Sequence, residues 1–225
     1  MREWFKYLLT RVGERVTPRA IHNLNAAINY LEVGRWMRGH GYHVSHRYAH
    51  REELFDIVGA QVGDREVLYM EFGVWQGEAT RYWSKLLRNP KSKLHGFDSF
   101  EGLPESWNLL TPAGYFSLQG AIPQTEDPRV QFFKGWFDQT LLDYQLPPHE
   151  VLVLNLDADL YSSTIFVLNK LRDEIVPGTY IYFDEICDRL HELRAFDEFI
   201  TKTGMEFRLL GVTRTLKCAL FQRAY

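Results

Sequence analysis

Val67-Leu-Tyr-Met-Glu-Phe-Gly-Val-Trp-Gln-Gly-Glu-Ala-Thr80 reads as a buried strand, a glycine-bracketed turn and the start of a helix. Val67 to Phe72 is an apolar, aromatic run of the kind that is covered on both faces of a parallel sheet. Helical spacing resumes from Thr80 to Leu87, with Trp83, Leu86 and Leu87 on one side. Gly73 and Gly77 sit between the two. One glycine allows backbone angles closed to other residues, and the second lets a ligand or the next helix come close to the main chain. Glu71 ends the strand with a carboxylate directed into the same crevice. The unit is either a cradle for a cofactor or an ordinary strand-turn-helix whose glycines serve packing.

The glycine spacing bears on which cofactor the cradle would take. Gly73-Val-Trp-Gln-Gly77 lacks the middle glycine of the G-x-G-x-x-G dinucleotide pattern, and Glu71 and Glu78 would repel a pyrophosphate. An acid at the end of the first strand suits a ligand with a cation, such as the amino group of S-adenosylmethionine. A second strand, Leu94-His-Gly-Phe-Asp98, ends in an acid placed where folds of this type present a carboxylate to a ribose diol. Asp98 is that carboxylate, or else a turn residue or helix cap. Phe97 or Phe100 would lie near an adenine, and Trp136 or Phe137 would face it from the other side. Core packing is the competing explanation for each of these aromatics.

The chain has 225 residues, enough for one ordinary domain with a sizeable core and a helical extension. Twenty-six Lys and Arg against 29 Asp and Glu make it mildly acidic, which argues against a general nucleic-acid binder. With two cysteines, Cys187 and Cys218, there is no disulfide framework, and a reducing, cytoplasmic setting is expected. No apolar run approaches membrane-spanning length, and Met1-Arg-Glu-Trp lacks the features of a signal peptide.

Residues 1–60 are read as a helical extension or lid, and residues 61–225 as the cofactor-binding domain. Trp4, Phe5, Leu8, Leu9 and Val12 recur at helical spacing. Thr17-Pro18 opens a second helix, to about Gly39, with Ile21, Leu24, Ile28 and Leu31 along one face. These helices would cover the site or form a homodimer seam. The segment from Gly39 to His50 holds four of the eight histidines. No H-x3-H pair on a confident helix supports a metal cluster there, and a glycine-rich loop or lid is the reading adopted. The Pro-, Gly- and Trp-rich stretch 104–128 has no clean period and is expected to wall the substrate pocket.

Val151-Leu-Val-Leu-Asn-Leu-Asp157 is the most strand-like segment, and its end delivers Asp157-Ala-Asp159. A further strand, Thr179-Tyr-Ile-Tyr-Phe-Asp184, ends in Asp184-Glu185. Neighbouring parallel strands share one C-terminal edge, so Asp157, Asp184 and Glu185 would converge beside the crevice. Crowded carboxylates repel unless they are neutralised. An oxygen-liganded divalent cation such as Mg2+ would do that and would orient a substrate hydroxyl. The alternative is that Asp157 and Asp184 are strand-end caps with no ion.

Glu71-Phe-Gly-Val-Trp-Gln-Gly77, Phe97-Asp-Ser-Phe-Glu-Gly-Leu-Pro104, Lys134-Gly-Trp-Phe-Asp138, Leu156-Asp-Ala-Asp-Leu-Tyr-Ser-Ser-Thr164 and Val176-Pro-Gly-Thr-Tyr-Ile-Tyr-Phe-Asp-Glu185 together resemble, in order, the motifs of the macrocin O-methyltransferase family. The resemblance covers about residues 48–221. It implies an α/β, Rossmann-like class I methyltransferase fold: a mostly parallel seven-stranded sheet with a C-terminal antiparallel hairpin. It further implies Glu71, Gly73 and Gly77 around the methionine part of S-adenosylmethionine and Asp98 on its ribose. Trp75, Ser99, Gly135, Trp136 and Asp157 complete the expected cofactor contacts. Asp157, Asp184 and Glu185 match the positions that hold Mg2+ in a family that methylates hydroxyls of sugars and other natural-product scaffolds.

Two departures from the family stand out. Asp184-Glu185 replaces the frequent Asp-Asp pair, and residues 99–130 contain none of the loop histidines that some relatives use as a base. Where catechol-type relatives carry a lysine, this chain has Leu160. Asp159 and His191 remain as candidate catalytic residues; the competing roles are a helix cap and a solvated helix residue. The expected activity is O-methylation of a small hydroxylated molecule. A catalytically silent cofactor-binding module acting as a dimer is the alternative, and a nicotinamide oxidoreductase is disfavoured by the missing glycine.

Overall fold

The computed structural model describes residues 2–225. In chain order the elements are α1 (Glu3–Gly13), α2 (Pro18–Gly39), β1 (Arg47–Tyr48), α3 (Glu52–Val62), β2 (Val67–Phe72), α4 (Glu78–Leu86), β3 (Lys93–Asp98) and β4 (Val130–Lys134). They continue with α5 (Phe137–Thr140), β5 (Val151–Leu156), α6 (Tyr161–Lys170), β6 (Tyr180–Phe183), α7 (Glu192–Thr203), β7 (Phe207–Thr213) and β8 (Ala219–Arg223). The strands make one sheet in the order β1-β7-β8-β6-β5-β2-β3-β4. Pairing is parallel from β6 through β4, while β8 runs antiparallel to both β6 and β7.

The apolar runs at 67–72 and 151–156 are buried at every position because helices cover both faces. Alternate residues serve opposite layers. Leu68, Met70 and Phe72 join Leu152, Leu154 and Leu156 in the cluster packed by α6 and α7, whereas Val67 and Tyr69 join Val151 and Val153 in the cluster under α3 and α4. Phe196 of α7 is central to the first cluster, with ring centroids 4.8 Å from Phe183 and 4.9 Å from Phe221.

The sheet has eight strands rather than the expected seven. The extra one, Arg47–Tyr48, lies in the segment read as a lid and pairs in parallel with β7, so it covers an edge that would otherwise be open. The cores also run across the expected boundary at residue 60. Leu54, Phe55, Val58 and Val62 of α3 are buried against the sheet, and Val33, Trp36 and Met37 bring the end of α2 into the other cluster. The part of the N-terminal region that stands off the core is α1 with the first half of α2. Thr17 starts α2 as expected, its hydroxyl accepting the Ala20 N–H at 3.2 Å with Pro18 in the first turn.

Phe196→Ala should cost about 3–5 kcal/mol of unfolding free energy, the usual range for deleting a buried aromatic ring. Chemical denaturation followed by circular dichroism measures this; a loss below about 1 kcal/mol would contradict a core centred on that ring.

Candidate active site

Strand register sets the site. Phe72 pairs with Phe97 and Leu156, and Leu156 with Phe183, so the central strands end level with one another. Main-chain bonds continue the ladder one residue further: the Gly73 N–H donates to Phe97 O, Asp157 N–H to Phe72 O and Asp184 N–H to Leu156 O, each at 3.0 Å. Gly73, Asp98, Asp157 and Asp184 therefore leave the sheet along one edge. From β2 the chain winds outward through β3 to β4, then crosses back to β5 on the other side of β2. The crevice sits at this switch point. It is a cleft of about 780 Å3, within the roughly 300–1,000 Å3 of small-molecule sites.

At the turn after β2, Gly73 has φ 93°, and a Cβ there would lie 1.9 Å from the Asp157 carbonyl oxygen. The glycine is required because the end of β5 packs directly against it. Asp98 holds the same turn in shape. Its Oδ2 accepts the N–H groups of Val74 at 2.8 Å and Trp75 at 2.9 Å, and its Oδ1 accepts that of Phe100 at 2.7 Å. Oδ2 thus has both lone pairs engaged, while Oδ1 keeps one free. Trp75 (φ 47°) and Phe116 (φ 67°) adopt left-handed backbone and meet edge to face at 5.9 Å, both lining the cleft. Strained non-glycine residues concentrate at functional sites.

Glu71 is buried at the base of the cleft, where its Oε2 accepts the hydroxyls of Tyr69, at 3.0 Å, and Thr80. Burial pushes its carboxyl up to about 7 against the pull of those two bonds. A cation arriving at Glu71 would favour its charged form.

Asp157, Asp159, Asp184 and Glu185 all line the cleft, as expected, but two cations are lodged among them. The Arg51 guanidinium stands between strands, with Nη1 3.2 Å from Asp184 Oδ1 and 3.6 Å from Asp157 Oδ2. The Lys217 ammonium lies 3.0 Å from Asp184 Oδ2 and 2.8 Å from Glu185 Oε1. Burial alone would raise Asp184, yet Lys217, Tyr182 and Arg51 hold its carboxyl below the ordinary range. Asp157 goes the other way. Burial, with Asp184 and Asp159 close by, pushes it well above that range. Asp159, in left-handed backbone at φ 58°, is raised to about 7 by burial and then by Glu185 and Asp184.

These hard oxygen donors suit Mg2+ in kind but not in arrangement. Among the described residues, no three His, Cys, Asp or Glu side chains come together closely enough to hold an ion. Arg51 and Lys217 already occupy the oxygens that an inner-sphere ion would need. The expected metal set Asp157, Asp184 and Glu185 is thus brought to one edge, but as an ion-paired cluster.

Among the other expected residues, Ser99 and Trp136 line the cleft, while Gly77, Gly135 and His191 do not. Gly77 starts α4 with φ 75°. Gly135 passes the ladder on, its N–H donating to Asp98 O at 3.0 Å. His191 is a latch: Nδ1 accepts the Tyr161 N–H at 3.2 Å, which leaves Nε2 to carry the proton and donate to Trp107 O at 3.1 Å. With both ring nitrogens engaged it is not a free base. Phe97 and Phe100 are buried in the core, whereas Trp136 and Phe137 face the cleft. The 104–128 loop contributes Trp107 and Phe116 to the wall; Trp107 Nε1 donates to Asp188 at 3.0 Å, and Ser162 of α6 donates to Glu105 at 2.6 Å.

Sequence reasoning missed Arg51 and Lys217. The signal for Lys217 was topological: β8 runs antiparallel to β6 with Ala219 opposite Phe183, so residues just before Ala219 must lie beside Asp184. No comparable signal marks Arg51.

Residues 124–221 match the model of the macrocin-O-methyltransferase (TylF) family. The chain is 29% identical over 150 residues to an 8-demethyl-8-(2,3-dimethoxy-alpha-L-rhamnosyl)-tetracenomycin-C 4'-O-methyltransferase of Streptomyces olivaceus, covering 56% of this chain and 57% of that one. It is 27% identical over 191 residues to a demethyldecarbamoylnovobiocin O-methyltransferase of Streptomyces niveus, covering 73% of this chain and 68% of that one. In fold it is similar to the O-methyltransferase NovP (TM-score 0.63, 24% identity, 78% of this chain and 80% of that chain). It is similar also to the calicheamicin methyltransferase CalS11 (TM-score 0.59, 20% identity, 92% of this chain and 94% of that chain).

Gly73→Ala should destabilise the protein by more than about 2 kcal/mol, because left-handed strain of roughly 1–2 kcal/mol is joined by a clash with the Asp157 carbonyl. Thermal unfolding of the variant reads this; an unchanged midpoint would mean that the turn does not pack on β5 as described.

Proposed function

We propose that the chain, which is similar over residues 124–221 to the macrocin O-methyltransferase family and to two O-methyltransferases, is an S-adenosylmethionine-dependent methyltransferase that methylates a hydroxyl group of a small molecule, a sugar or a natural-product scaffold. The observation that carries this reading is the charge of the cleft. Eight carboxyl groups line its floor and walls (Glu71, Glu78, Asp98, Asp138, Asp157, Asp159, Asp184 and Glu185), with Arg51 and Lys217 opposing them. Such a surface favours a ligand carrying cationic centres over a polyphosphate, which also speaks against a nicotinamide dinucleotide.

S-adenosylmethionine supplies a methyl group on a sulfonium, which an acceptor oxygen takes as it gives up its proton. In this reading Glu71 and the Gly73–Gly77 turn hold the methionine end, and the remaining lone pair of Asp98 Oδ1 receives a ribose hydroxyl. Trp136 and Phe137 flank the base. Trp75, Trp107 and Phe116 enclose the acceptor and keep water from the transfer path. Asp159 is the residue that takes the acceptor proton. A carboxyl group raised to about 7 by burial and its acidic neighbours is matched to that task near neutral pH. Aligning acceptor and donor in one cleft supplies much of the remaining rate enhancement.

We also assign the N-terminal helices to a homodimer seam. No residue of α1 is buried, and Trp4, Leu8, Leu9, Val12, Leu24, Ile28 and Leu31 are exposed. An apolar stripe of this extent on a mildly acidic protein fits a second copy of itself better than an anionic surface.

Transfer of a labelled methyl group from S-adenosylmethionine to a panel of glycosylated aromatic acceptors tests the activity. A product carrying one O-methyl group is expected. Binding of S-adenosylhomocysteine without turnover of any acceptor would favour the silent cofactor-binding module, and binding of NADH alone would reverse the assignment. The turnover rate should fall as pH drops below about 7, since protonated Asp159 can no longer accept a proton. Asp159→Asn should lower the rate on the order of 10^2- to 10^4-fold and remove that acid limb. A variant that keeps both rate and limb would exclude Asp159 as the base. Sedimentation equilibrium at tens of micromolar should give a dimer, and Leu8→Asp with Leu31→Asp a monomer; a monomeric parent protein would refute the seam.

A further inference from the structure

The hairpin that ends the chain does more than close the sheet. Its turn carries Lys217 to the end of β6, where the ammonium pairs with an oxygen of Asp184 and an oxygen of Glu185. Asp184 has little capacity left: its Oδ1 already accepts the Tyr182 hydroxyl at 2.6 Å and Arg51 Nη1 at 3.2 Å. Glu185 is positioned for the pair by its main chain, whose N–H donates to the buried Glu192 at 2.9 Å. The result is a fixed positive charge on the same edge as Asp157 and Asp159. A divalent ion binding these oxygens directly would sit against that ammonium and be repelled by it.

We propose that Lys217 takes the place of a divalent cation at the Asp184–Glu185 edge, so that this chain binds its methyl donor and positions its acceptor without Mg2+. The proposal rests on the methyl-transfer reading and concerns the charge at the acceptor end of that same cleft. Lys217 is suited to the task because its side chain is partly exposed, at 43%, and remains free to orient an acceptor oxygen while it neutralises the two acids. The arrangement accounts for the departure of Glu185 from the aspartate expected there. The longer side chain reaches an ammonium carried by the adjacent hairpin turn. It follows that removing the ammonium uncovers a divalent site.

Titration with Mn2+ alone, read by electron paramagnetic resonance, tests this on the full chain. The unsubstituted protein should bind Mn2+ only weakly, in the millimolar range or beyond. Lys217→Ala and Lys217→Gln should each bind one Mn2+ at least tenfold more tightly, and adding Glu185→Gln should abolish the gain. One tightly bound Mn2+ in the unsubstituted protein would overturn the proposal whether or not either variant folds, and so would unchanged affinity in a folded variant. In parallel, calorimetry should show S-adenosylhomocysteine binding that is unaffected by a chelator; loss of binding with the chelator would also overturn the proposal. Failure to bind S-adenosylhomocysteine under any condition would instead sink the methyl-transfer reading and leave the Mn2+ result standing.

Discussion

The site depends on where four strands stop. The β2, β3, β5 and β6 backbones end level, and the hydrogen-bond ladder carries on by one more residue through Gly73, Asp157 and Asp184. Those bonds fix the spacing of the acids to within the tolerance of a parallel sheet, which loops alone could not do. Gly73 is the point where this constraint is tightest, since the Asp157 carbonyl occupies the space of a side chain. Asp98 then ties the turn after Gly73 to the end of β3 with bonds to main-chain N–H groups. The cleft is thereby built from main-chain geometry before any ligand is considered.

Its electrostatics follow from that geometry. Bringing so many carboxyl groups to one edge is costly unless some are protonated or paired. Both solutions are present. Asp184 is held below the ordinary range by Lys217, Tyr182 and Arg51, while Asp157, Asp159 and Glu71 are pushed toward protonation first by burial and then by neighbouring acids. Neighbouring acids thus differ in character: one is a fixed anion, and others are poised to gain or lose a proton near neutrality. That division is what a proton-accepting step beside a cationic donor requires.

Much of this was legible in the sequence. Buried strands announced themselves as apolar runs ending in acids, and the parallel-sheet rule alone placed Asp157, Asp184 and Glu185 together. Other features were hidden for specific reasons. Arg51 and Lys217 reach the cluster from segments far from it in the chain, and charge partners of this kind have no local signature. His191 was expected at the site as a candidate base, but it lies outside the cleft lining, and the tautomer fixed by the Tyr161 N–H could only be read from coordinates. Phe97 and Phe100 were proposed beside a base because they flank Asp98. Both rings turn into the core, Phe97 stacking on Phe72 at 5.0 Å and on Phe133 at 4.7 Å. Arg47–Tyr48 was too short to show a period, and its pairing depends on an edge that only the finished hairpin offers.

A crystal structure of the protein grown with S-adenosylhomocysteine tests the central claim most directly. The ligand should lie across the switch point, with its amino acid end at Glu71 and the Gly73 turn, its ribose at Asp98 and its sulfur facing Asp159. Density for the ligand elsewhere on the molecule, or a Gly73–Gly77 turn that makes no contact with it, would contradict the account.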